Sequence, residues 1–195
     1  MKSFLSVQVW LFLALLLLLT LVTPWHWWVL DLELLAAGQW WRLWLSQLTH
    51  LNPTHLALNM LGVLLSIYVA PLHWMRFWLW PLLLWLLTLT GLQLIWFTTG
   101  DYLGFSGALY GLLFLCLWFS PYYPKWVGPL AATVVAIKVL SEQLPVLASS
   151  MTSDMIGAPV MTQAHLFGWL SSLPLWLYLL LRSHQPGSLS SLRKA

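Results

Sequence analysis

Charge is what this sequence has least of: 7% of its 195 residues are Asp, Glu, Lys or Arg, while 61% are hydrophobic. Soluble domains are about a quarter charged, so a free globular protein in water is excluded. Cysteine occurs once, as Cys116 among leucines, which rules out an intrachain disulfide or a cysteine metal cluster and leaves packing as its role. The period-2 alternation of barrel strands is missing, so the long apolar runs read as helices, because in lipid only helices or closed barrels satisfy the backbone. A scattered net charge of +3 gives no footprint for nucleic acid. Also absent are an internal repeat, the zinc motif His-Glu-x-x-His, and the soluble hydrolase elbow Gly-x-Ser-x-Gly, since Ala108 stands where its last glycine belongs.

What is present is apolar and long. Runs at about 4–23, 54–72, 76–97, 105–120, 125–144 and 162–181 read as six membrane helices, in one domain over 1–182 with a polar, disordered cytoplasmic tail at 183–195. The first run is no cleavable signal: it is of spanning length, and Thr23-Pro24-Trp25-His26 offers no small-residue cleavage site. With the N-terminus inside, Lys2, Arg76, Lys125, Arg182, Arg193 and Lys194 lie on the cytoplasmic side and only Arg42 on the other. Lys138 falls within the fifth run, and the five acids Asp31, Glu33, Asp101, Glu142 and Asp154 lie outside or at an outer helix end. The basic-residue asymmetry predicts an N-in, C-in bundle. Trp25, Trp27, Trp28, Trp40, Trp41 and Trp44 predict a first loop lying in the membrane interface.

Three polar clusters interrupt the grease. Gly104-Phe-Ser-Gly-Ala-Leu-Tyr-Gly111 puts Ser106 at the head of a helix, with Gly107 and Gly111 on one Gly-x-x-x-Gly face. A serine there fits close helix packing as well as chemistry, and the octet alone does not separate the two. Pro53-Thr54 suits a helix start, which places His55 and Asn59 on one face; they either brace helices or serve a site. Ala164, Gly168 and Ser172 form a small-residue seam beside His165. The topology brings all of these near the outer face at one depth. A serine beside a neutral imidazole is a minimal activated nucleophile, and nearby N–H groups stabilise the oxyanion that follows. A haem or quinone protein using His50, His55 and His165 would need paired histidines on facing helices, and a transporter would need repeats or broken helices. Neither pattern is present.

In this arrangement the sequence resembles the rhomboid intramembrane serine proteases. The matching pieces are Trp41-Arg42, His50 five before His55, His55 to Asn59, Gly104 to Gly107, and Ala164-His165 with Gly168, in the family's order over about 38–170. The resemblance implies a Ser106–His165 dyad in a water-filled cavity, with His55, Asn59 and the backbone of Ser106 and Gly107 as oxyanion donors. It also implies Tyr110 packed on the catalytic ring, and no cofactor or metal. Finer features resemble the rhombosortases, a bacterial branch: Gly38-Gln39-Trp40-Trp41-Arg42, Lys138 with Glu142-Gln143, and Ile156-Gly157-x-Pro159-Val160 before His165. That branch implies a bacterial inner-membrane protein whose site opens to the periplasm. Its substrates would be exported proteins with a C-terminal anchor of Gly-Gly-type small residues, a hydrophobic helix and a basic tail. Two positions depart from the branch: Ser172 replaces a glycine, and Tyr110 stands where histidine is expected. A proteolytically inactive relative that binds or escorts membrane clients is the alternative. Lys138 and Glu142, four apart, read as a structural ion pair, with contact to a substrate tail as the other reading.

Overall fold

Local chemistry sets several helix boundaries in the computed structural model, which describes residues 7–98, 101–144 and 150–183. Helix α1 is Val7–Val22 and is followed by a short 3-10 turn at Trp25–Trp27. The first loop then carries two short helices, where sequence reading gave only an interfacial stretch. In α2 (Leu32–Ala36) the Asp31 carboxylate accepts from the Glu33 and Leu34 N–H groups at 2.9 and 3.0 Å. In α3 (Arg42–Leu48) Gln47 Nε2 donates to the carbonyls of Leu43 and Leu87, each at 2.7 Å. Helix α4 (Pro53–Val69) begins as its proline suggests, with Asn52 Oδ1 capping the His55 N–H at 2.9 Å.

A π-helical turn at Trp74–Trp78 leads into α5 (Leu79–Phe97). The remaining helices are α6 (Ser106–Trp118), α7 (Val127–Ser141), the short α8 (Ser150–Ile156) and α9 (Thr162–Ser183). No strand occurs among the described residues; a lone antiparallel bridge joins Leu30 to Tyr102. By length and hydropathy Trp74–Phe97 and Thr162–Arg182 suffice to cross a membrane, while α1, α4, α6 and α7 are apolar but shorter. The expected polar tail lies, beyond Ser183, outside the described residues, as do Lys2, Arg193 and Lys194.

Helix α6 is the centre of the bundle, contacted by α4, α5, α7 and α9. Its Ala108, Leu112, Leu115 and Cys116 are sealed from solvent. Small residues set its distance from α9: a Cβ on Gly168 would overlap the Gly107 carbonyl, and one on Gly111 would overlap the Gly168 carbonyl. The seam expected from Gly107, Gly111, Ala164 and Gly168 is therefore a backbone-to-backbone contact. Polar bonds tie α5 to α9 beside it, with Gln93 Nε2 donating to Ser171 Oγ at 2.8 Å and Trp85 Nε1 to the Ser171 carbonyl at 2.9 Å. Such intramembrane bonds contribute about 0.6–1 kcal/mol each.

Because the neighbour of Gly168 is rigid backbone, Gly168→Val should cost about 3 kcal/mol. Thermal melting in detergent checks this against Leu181→Val on the exposed face of the same helix, which should change stability by less than about 0.5 kcal/mol.

Candidate active site

The segment entering α6 is shaped by Gly104, whose φ of +118° lies in the region that favours glycine. Its N–H donates to the Ser46 carbonyl at 2.9 Å. A Cβ there would sit 2.5 Å from His55 Cε1 and 2.7 Å from its Nε2, so the missing side chain is the space the imidazole occupies. Phe105 follows, fully buried with its ring 5.2 Å from that of Phe12. Ser106 then opens α6.

Across the glycine seam, Ser106 Oγ and His165 Nε2 are 3.1 Å apart. The other ring nitrogen, Nδ1, lies 2.8 Å from Glu142 Oε2. A carboxylate oxygen only accepts, so in the neutral imidazole the proton belongs on Nδ1, which leaves the Nε2 lone pair toward the serine hydroxyl. Glu142 is buried at the C-terminal end of α7, where the helix dipole disfavours an anion. It is held by two donors, His165 and the Lys138 ammonium. The Tyr110 ring stacks obliquely on the His165 imidazole, centroids 4.4 Å apart, with the Lys138 ammonium 4.9 Å from the centre of the tyrosine ring.

Ser106, His165, His55 and Asn59 line one cavity of about 590 Å³, with Tyr102, Tyr110, Lys138 and Glu142. Asn59 Nδ2 donates to the His55 carbonyl at 3.1 Å, and Asn52 Nδ2 reaches the Ile156 carbonyl at 2.7 Å, tying the end of α8 to the start of α4. Trp41 and Arg42 stand apart from the cavity. Trp41 is exposed, while buried Arg42 braces the first loop, its Nε bonded to Gln39 Oε1 and its Nη1 to the Val29 carbonyl, both at 2.8 Å.

Two groups at the site were invisible in the sequence pattern. One is the second contact of Glu142, beyond its expected pairing with Lys138. The other is Tyr102, a buried residue whose hydroxyl accepts the Gly107 N–H at 3.1 Å. The Gly107 amide, expected as an oxyanion donor, is therefore engaged by a side chain. Burial pushes the Tyr102 phenol above its ordinary range, so it sits there neutral.

Behind the cavity, the His50 and His55 rings meet edge to face at 5.0 Å, and His50 Nδ1 lies 3.1 Å from Thr20 Oγ1. Burial, with the His55 imidazole adding to it, lowers the His50 pKa to about 3.

A protein-family model described as Rhomboid domain matches residues 37–182, about three-quarters of the chain. No curated protein and no solved structure matches the chain at a significant level.

The depressed His50 pKa sets a pH window. An unfolded histidine takes up a proton below about pH 6.5 while the folded one stays neutral to about 3, so stability is full above 6.5 and is lost as pH falls toward 3. The melting midpoint should drop across that window, and less steeply in His50→Gln; equal slopes would remove His50 from the account.

Proposed function

The chain belongs to the rhomboid family, whose members are membrane-embedded and generally intramembrane serine proteases, and we propose that it is itself an intramembrane serine endopeptidase. One observation carries this reading: Ser106 Oγ lies 3.1 Å from His165 Nε2, inside a cavity shared with His55 and Asn59. In the reaction, Oγ attacks the scissile carbonyl as its proton passes to His165 Nε2. The oxyanion is met by N–H groups of His55 and Asn59 and by the Ser106 amide in the first turn of α6, where backbone donors lack helical acceptors. His165 then gives the proton to the leaving amine nitrogen, the C–N bond breaks, and an acyl ester on Ser106 remains for water to hydrolyse by the same route.

The helix lengths favour a buried, hydrated site. Helix α6 has 13 residues, about 20 Å at 1.5 Å per residue, against a hydrocarbon core of about 30 Å. A serine at its first turn thus lies below the membrane surface, and the cavity gives water its path. In this reading α1, α4, α5, α6, α7 and α9 are the six crossings of one domain over 1–182, with both ends cytoplasmic and the cavity facing outward.

The finer assignment is to a rhombosortase-like enzyme in a bacterial inner membrane, open to the periplasm. Its substrates are exported proteins whose C-terminal anchor combines Gly-Gly-type small residues, a hydrophobic helix and a basic tail. Small residues lower the cost of unwinding a helix whose peptide bonds are otherwise shielded, which suits a nucleophile fixed near the outer surface. An inactive relative that escorts clients would not require the serine and imidazole in bonding register, and that register favours catalysis.

Ser106→Ala and His165→Ala should each abolish cleavage of an anchored reporter while the protein inserts and melts normally. A serine-directed fluorophosphonate should label the wild type and not Ser106→Ala; full cleavage by either variant ends this reading. Loss of His55 or Asn59 as donors should lower kcat by about a hundredfold each, measured against unchanged expression.

A further inference from the structure

Among the charged groups lining the cavity, Glu142 touches the catalytic imidazole, yet the serine–histidine reaction above leaves it without a task. Glu142 divides its carboxylate between two elements: Oε1 accepts from Lys138 on its own helix, and Oε2 accepts from His165 Nδ1 on α9 at 2.8 Å. Its side chain is 3% exposed, whereas that of Lys138 is 50% exposed. An ion pair whose role was to brace α7 would gain nothing from turning the carboxylate inward onto a histidine of another helix. Placement at the end of α7 also sets the anion against the helix dipole.

We infer that Glu142 is the positioning residue of a Ser106–His165–Glu142 triad and that Lys138 is its counter-ion. The inference deepens the proteolytic reading and rests on Ser106 being the nucleophile. Three consequences follow from the geometry. The Oε2 contact fixes the proton on Nδ1, so that Nε2 is the basic nitrogen. When Nε2 takes the Ser106 proton, the imidazolium forms 2.8 Å from an anion already in place. Lys138 balances the carboxylate's charge, and the proton that moves goes from Ser106 to His165 to the leaving amine. The Tyr110 ring lies against the imidazole and also meets the ammonium, so it touches both partners of Glu142. The ionisable groups facing His165 are then Glu142 from α7, Tyr110 from α6 and His55 from α4.

The test uses the full-length protein in detergent with two readouts: the rate at which a fluorophosphonate labels Ser106, and cleavage of an anchored reporter. Glu142→Gln keeps the side-chain shape, removes the charge and permits the wrong tautomer. It should slow labelling and kcat by about 10²–10⁴-fold, with KM little changed. Lys138→Met should lose less, about tenfold, and the double variant Lys138→Met/Glu142→Gln should stay as slow as Glu142→Gln. Glu142→Asp should recover part of the rate. A structural ion pair predicts the opposite, because removing both charges relieves the unpaired one. Wild-type rates in Glu142→Gln, or recovery in the double variant, overturn the inference. Should the variants fail to fold, nitrogen NMR shifts of histidine-labelled wild type decide it: at pH 8 the His165 proton belongs on Nδ1, and a proton on Nε2 overturns the inference. Failure of the proteolytic reading is separate, since it appears in the wild type as neither labelling nor cleavage.

Discussion

The contact of the α6 and α9 backbones, glycine on glycine, is the constraint on which the rest of the structure depends. Side chains at the crossing would hold the two helices at the usual separation of about 8–10 Å. Instead Gly107, Gly111 and Gly168 let carbonyl groups of one helix lie where a Cβ of the other would be. Ser106 and His165 stand at the head of these two helices, so their 3.1 Å separation is set by that crossing. In lipid there is little hydrophobic drive between helices, and close van der Waals contact of small residues takes its place. The same packing that stabilises the bundle therefore sets the geometry of the reaction.

Polar groups that the membrane would otherwise penalise are satisfied mostly by backbone carbonyls. Gln47 bonds two of them, Arg42 and Asn59 one each, and Thr49 its own i−4 carbonyl. Each such bond spares a buried donor the cost of having no partner. Side-chain partners occur elsewhere too, as in Gln93 with Ser171 and Trp44 with Thr88, but around Ser106 they form a connected charged network. His165, Glu142 and Lys138 bond to side chains instead, and the Gly107 amide is taken by Tyr102. Side-chain networks are adjustable in charge, which backbone carbonyls are not, and this site is built from the adjustable kind.

Features encoded along a single helix were legible in the sequence. Pro53 marked the start of α4 and so the shared face of His55 and Asn59, and the spacing of Gly107, Gly111, Ala164 and Gly168 marked the seam. Gly104 was read through its motif, and its φ of +118° against the His55 ring gives the physical reason for it. Features encoded between elements were not legible. Glu142 meets His165 because α7 ends where α9 begins, and no periodicity reports that. Tyr102 reaches the Gly107 amide by folding back over three residues of irregular chain and the first residue of α6. The short helices α2 and α3 escaped because tryptophan content signals an interface without signalling a conformation.

The burial of Cys116 has a practical corollary. The chain's one thiol lies in the last turn of α6 with no accessible surface, enclosed by the bundle. A cysteine placed on an exposed position between the crossings, such as Trp40 in the first loop or Trp126 just before α7, would therefore be the one sulfhydryl that a water-borne maleimide can reach in the folded protein. The natural sequence is already a silent background for chemical mapping, and the sidedness of each helix becomes measurable without first removing a core residue.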